Sequence, residues 1–141
     1  MKRFLRLVCL LLVFATLAAV PAYAQEQSAR ANLYLSSYRA YCTKTASTSV
    51  TVSFHVLGTR RMDEIGASKI KVQYSSDKEN WTTAKTFLKA DYPSMIATND
   101  SSHAAELSCT VPSGKYYRAY VEFYAAKDNG SGMQFYYTEI I

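Results

Sequence analysis

The chain offers few side chains suited to covalent or acid–base chemistry. Beyond the N-terminal segment it has two cysteines, Cys42 and Cys109, and its two histidines are His55 and His103. Two histidines cannot build a His-rich metal site and give a catalytic triad little to draw on. His103 and Cys109 are in phase on one extended segment, but six residues of strand span about 20 Å, far outside nucleophile–base reach. Cys42 with His103 stays open as the pair of a small Cys-dependent hydrolase or peptidase. There is no Gly-rich phosphate loop, Gly-x-Ser-x-Gly elbow or His-Glu-x-x-His motif. Asp63 and Glu64 are neighbours, so their side chains diverge on a strand or a helix alike. Asp128-Asn129-Gly130-Ser131-Gly132 carries oxygens but lacks the alternating acids and distal Glu of a calcium loop. It reads as a hairpin turn in which Asn-Gly supplies the positive φ values. The expectation is a protein that is not an enzyme, with no catalytic residue, cofactor or metal.

What remains is recognition, and one stretch concentrates it. In Gly114-Lys115-Tyr116-Tyr117-Arg118-Ala119-Tyr120-Val121-Glu122-Phe123, the residues Tyr117, Ala119, Val121 and Phe123 alternate with Tyr116, Arg118, Tyr120, Glu122 and Tyr124. The first set is apolar and belongs to a core. The second set carries three tyrosines and a charge of each sign, so it meets water or a partner. Tyr117 follows the turn Pro112-Ser113-Gly114, the setting of a tyrosine corner, and is assigned a structural role. With the third, sixth and seventh strands in one sheet, the outward face adds Lys69, Lys71 and Gln73. Tyr136 joins it with the seventh strand phased so that Gln134 and Thr138 point outward. A row of Tyr with Lys and Arg between suits sugar rings, peptide strands or an anionic polymer. The plainer alternative is that tyrosines fill a strand they favour.

A second motif is architectural. Ser75-Ser76-Asp77-Lys78-Glu79-Asn80-Trp81 resembles the Asp-box turn of sialidases and related β-proteins, without its Gly and one residue short. That turn is a folding element, so Trp81 is also assigned a structural role. Asn80, Asn99 and Asn129 open formal glycosylation sequons, relevant only in a eukaryotic secretory pathway.

The elements that must position these residues read as strands. Residues 1–24 read instead as a signal peptide: a basic start (Lys2, Arg3, Arg6), an apolar run from Leu7 to Val20 and the cleavage site Ala22-Tyr23-Ala24. Residues 25–31 read as a flexible tail and 32–141 as one domain. Losing Lys2, Arg3 and Arg6 leaves thirteen basic against eleven acidic residues, a net +2, too little for the clustered charge of nucleic-acid binding. No later segment is long and apolar enough for stable membrane insertion. The expected strands are Leu33–Thr43, slipping near Ser36-Ser37, then Ser49–Leu57, a third around Lys69–Tyr74, Trp81–Leu88, His103–Val111, Lys115–Ala126 and Met133–Ile141. Gly58–Gly66 and Lys89–Ser101 are expected loops, and the second could work as a protease-inhibitor loop. Seven strands predict an all-β, seven-stranded Greek-key β-sandwich of immunoglobulin or fibronectin type III kind.

In that order the second strand separates Cys42 from Cys109 by about 10 Å, beyond disulfide reach, so the reading favours two free thiols although export would permit a bridge.

Met62-Asp63-Glu64-Ile65-Gly66-Ala67, Ile70-Lys71-Val72-Gln73, Ser76-Asp77 with Trp81, Asp91-Tyr92-Pro93-Ser94-Met95, Gly114 to Val121 and Lys127-Asp128 together resemble an uncharacterised family of small secreted proteins from Gram-positive anaerobic bacteria, a domain of unknown function. The resemblance runs from about Tyr34 to Tyr137. It implies a bacterial source and export, and it carries no activity or site. The sequence therefore predicts a secreted, extracellular, non-enzymatic module. Its expected binding face is Tyr116, Arg118, Tyr120, Tyr124, Tyr136, Lys69 and Lys71, and its expected partner a glycan, a cell-wall polymer or a protein.

Overall fold

Strand-forming residues in period-two alternation govern the whole described chain. The computed structural model describes residues 33–141, so the signal-peptide and tail readings lie outside the described residues. Among the described residues six antiparallel strands form: β1 (Leu35–Ala46), β2 (Ser49–Ser75), β3 (Thr82–Leu88), β4 (Ile96–Thr110), β5 (Tyr116–Lys127) and β6 (Gly130–Tyr137). A single 3₁₀ turn, Pro93–Met95, precedes β4. The fold is all-β, and the sheet curls over on itself so that two leaves face each other.

The strand count differs from the expected seven because the second and third merge. β2 runs for 27 residues through the segment expected to be a loop. Its first half lies between β1 and the later part of β4, and its second half between β3 and β5, with β6 beyond β5. Met62, Ile65 and Ala67 point into the core and are fully buried, which is why the strand continues. The charges that imitate a loop are neutralised from elsewhere: Lys127 Nζ lies 2.7 Å from Asp63 Oδ1, and Lys89 Nζ 2.7 Å from Glu64 Oε2. A register shift between Leu57 and Met62 breaks the alternation there. The expected slip near Ser36-Ser37 is a register shift between Leu35 and Ser37.

β4 likewise starts earlier than expected, at Ile96. Most of Lys89–Ser101 is thus braced rather than open: Met95 is buried, and the His103 ring nitrogen Nε2 is 2.7 Å from the Ser94 carbonyl. The core between the leaves is knitted by rings. Phe123 of β5 meets Phe54 of β2 edge-on at 6.0 Å and Tyr38 of β1 at 5.2 Å. Such pairs add about 0.5–1.5 kcal/mol each to the burial of their area.

Cys42 pairs in register with Val52 and Cys109 with Val50, on opposite sides of β2, and both thiols are free. Burial pushes the Cys42 thiol up to about 11 and the Cys109 thiol upward as well, which suits neither to act as a nucleophile. His103 pairs with Val56, four residues along β2 from the partner of Cys42 and across a strand from it. Among the described residues, the fold does not bring Cys42 and His103 together.

Candidate functional site

Strand β5 sets the site because both its faces are decided by alternation. Tyr117 is 1% exposed, and its hydroxyl donates to the Pro112 carbonyl while accepting from the Lys115 N–H at 3.4 Å. That is a tyrosine corner: the ring closes one end of the core, and the hydroxyl ties the entering turn to the strand. Phase is thereby fixed, and Tyr116, Arg118, Tyr120, Glu122 and Tyr124 point outward.

Register then builds the outer face across four strands. Gln73 of β2 sits beside Arg118. Thr86 of β3, Lys71 of β2, Tyr120 of β5 and Tyr137 of β6 form one row. Leu88, Lys69, Glu122 and Phe135 form the next, and Tyr124 with Met133 lies beyond. Lys69, Lys71, Tyr116, Arg118, Tyr120 and Tyr124 therefore share one face.

Tyr136 does not. It pairs with Val121 and turns inward, meeting Tyr38 at 6.3 Å and Phe123 at 6.4 Å. The physical reason is the turn. The β5–β6 hairpin closes at Lys127–Gly130 over only Asp128 and Asn129, and Asp128, not Asn-Gly, supplies the positive φ of 54°. The Asp63 carboxylate clamps this turn by accepting the Asp128 N–H at 2.7 Å. A two-residue loop shifts the phase of β6 relative to the expected five-residue loop. Met133, Phe135 and Tyr137 therefore take the outward positions, with Phe135 49% and Tyr137 51% exposed. These were missed, and counting a two-residue hairpin from Lys127 would have found them.

The face is a continuous stack rather than a scatter of rings. The Arg118 guanidinium lies 4.1 Å from the Trp81 ring and 4.6 Å from the Tyr137 ring. Tyr137 meets Tyr120 at 5.0 Å, and Tyr120 stacks on Phe135 at 6.0 Å with planes 14° apart. The Trp81 ring, besides its place in the turn, forms one end of the stack. Its turn is held as an Asp-capped loop should be: Asp77 accepts the Glu79 and Asn80 N–H groups at 2.9 and 2.8 Å, and the Trp81 indole donates to the Lys78 carbonyl at 3.1 Å. The Asn80 side-chain amide, then the two backbone N–H groups, hold the Asp77 carboxyl far below the usual range.

Charges on the face are arranged around the rings. Lys69 Nζ reaches Glu122 Oε1 at 3.1 Å, and the Tyr120 hydroxyl donates to the same oxygen at 3.1 Å. Burial first, and then that carboxylate, push the Tyr120 phenol up to about 12, so it is neutral at any physiological pH. Lys89 Nζ sits 4.1 Å over the Tyr124 ring and Lys78 Nζ 4.3 Å over Tyr116. The outer face of the other leaf contrasts with this. Its rows read Thr43–Thr51–Ser108, Tyr41–Ser53–Glu106 and Arg39–His55–Ala104, short polar residues with Tyr41, Glu106, Arg39 and His55 set among them. Among the described residues no cluster of His, Cys, Asp and Glu could hold a metal ion.

No family model and no curated protein matches this sequence. Among solved structures, the chain is similar to Spo0M, a sporulation control protein from Bacillus subtilis, at 11% identity and a TM-score of 0.42, over 72% of this chain and 47% of that one. It thus spans about half the length of Spo0M. It is also similar to a Bordetella pertussis protein described as ApaA, at 9% identity and a TM-score of 0.40, over 76% of this chain and 89% of that one.

Proposed function

We propose that this protein is a secreted, non-enzymatic β-sandwich of immunoglobulin or fibronectin type III kind that binds an extracellular partner through the outer face of β3, β2, β5 and β6. A glycan or cell-wall polymer is the first partner class and a protein the second. Export rests on the signal-peptide pattern of residues 1–24, and the resemblance to a family of small secreted bacterial proteins agrees with it. The finer fold assignment is supported by strand order. With β2 counted as two strands, one leaf reads β1–β2–β4 and the other β3–β2–β5–β6, the arrangement of a seven-stranded fibronectin-like domain.

The observation that carries the function is the stack Trp81–Arg118–Tyr137–Tyr120–Phe135 lying open on one sheet face. Tyrosine and tryptophan on rigid strands give flat contact area at low entropic cost, with polar edges for hydrogen bonds. A sheet face is broad and shallow, which suits an extended chain of sugar rings better than a small molecule needing a deep pocket.

A glycan and cell-wall array with the purified protein tests this. Signal should appear, should fall by roughly 5- to 150-fold in affinity for Tyr120→Ala, the scale of a lost aromatic stack, and should be indifferent to thiol alkylation. Loss of function on alkylation would favour a Cys-dependent enzyme instead.

A further inference from the structure

Within the stack, Arg118 is held in a way that a merely structural arginine does not require. Two rings pack against its guanidinium, Trp81 at 4.1 Å and Tyr137 at 4.6 Å. Its Nε donates to Gln73 Oε1 at 2.9 Å, which fixes the rotation of the planar group. With two rings against the group and Nε bonded to Gln73, the terminal N–H groups are the donors available to a ligand, and among the described residues Arg118 has no carboxylate partner. A planar fork presented by its edge is the geometry that takes two oxygens of one anion.

The surrounding charge agrees. On the outward rows of β2 and β5 the acids are Glu122 and Glu64, and each is paired, with Lys69 at 3.1 Å and with Lys89 at 2.7 Å. Lys71 lies one row from Arg118, beside Tyr120, and has no ion pair among the described residues. Two uncompensated cations thus flank an aromatic platform.

We infer that the face binds an acidic glycan polymer, with Arg118 gripping a carboxylate or phosphate group by its edge, Lys71 supplying a second charge, and Tyr120, Tyr137 and Phe135 taking the adjoining sugar ring. The inference rests on the proposed binding face and deepens it by naming the ligand class. Arginine packed against rings is weakly hydrated, so meeting an anion there costs less desolvation than meeting it with a mobile lysine.

The test is isothermal titration of the protein with polygalacturonate, with a phosphomannan and with neutral dextran. The wild type should bind at least one acidic polymer at least tenfold more tightly than dextran, and whichever acidic polymer binds identifies carboxylate or phosphate as the source. Arg118→Lys keeps the charge and loses the planar fork, so it should weaken that binding about tenfold or more; Lys71→Ala should weaken it severalfold. Should Arg118→Lys melt well below the wild type, Lys71→Ala and competition by free glucuronate or inorganic phosphate decide the matter in its place. Acidic-polymer binding that survives Arg118→Lys undiminished in a folded variant overturns the inference. A preference for dextran that Tyr137→Ala abolishes also overturns it, while leaving the aromatic binding face intact. A folded wild type that binds none of the three polymers overturns it as well.

Discussion

Tyr117 and Tyr120 are three residues apart and do opposite work. Tyr117 is sealed in the core with its hydroxyl on the Pro112 carbonyl, whereas Tyr120 lies outside among Tyr137, Phe135 and Glu122. Tyr117→Phe deletes only the corner hydroxyl and leaves a backbone carbonyl short of a donor, at a cost of ~1–1.5 kcal/mol. Thermal unfolding should show a Tm lower by roughly 4–8 °C with glycan binding retained. An unchanged Tm would mean that the corner bond contributes nothing. The phase of these two residues was legible because Ala119, Val121 and Phe123 leave the strand no alternative. Tyr136 was illegible for an equally local reason. Its phase is set by the length of the turn at Asp128-Asn129, and Gly130 and Gly132 make a longer loop look equally good.

At the scale of elements, the hidden feature was the continuity of β2. Arg60, Arg61, Asp63 and Glu64 carry the composition of a loop, yet Met62, Ile65 and Ala67 among them are fully buried. The partners that make the charges tolerable, Lys89 and Lys127, come from 25 and 64 residues away, and no local pattern reveals them. Strands with plain alternation, such as Val50, Val52, Phe54 and Val56, were legible in full. Where β2 passes between the leaves it also meets the backbone ahead of β4. A Cβ placed on Gly66 would lie 1.9 Å from the Met95 carbonyl oxygen, which is backbone and cannot step aside. Gly66→Ala should therefore cost of order 3 kcal/mol in urea unfolding, the upper range for overpacking. Gly114 has a φ of +68° with open space around it, so Gly114→Ala should cost only about 1 kcal/mol. Equal losses at the two positions would mean that the 3₁₀ turn yields and that the crossing is looser than described.

For the molecule as a whole, the two leaves divide labour. Their inner faces share one core, built on Phe54, Phe123 and Tyr38. Their outer faces differ in chemistry: one leaf is polar with Tyr41 and Arg39 set among short side chains, and the other carries the linked rings with Arg118, Lys69 and Lys71. The strands and the inner core follow from alternation, so most of the fold was readable. The ring stack was only half readable, because Tyr137 and Phe135 reach it through a turn and Trp81 reaches it through a separate hairpin. The chain has a single tryptophan, and it stands in that stack against Arg118. Trp81 emission is therefore a built-in reporter of the face. In a fluorescence titration with solubilised cell-wall glycan, the wild type should give a saturable change in Trp81 emission. The change should be lost or shifted to much higher concentration in Tyr120→Ala and Tyr137→Ala, with both variants still folded. Saturable binding measured calorimetrically that leaves Trp81 emission unmoved, and that both variants retain, would place the ligand elsewhere and contradict the account.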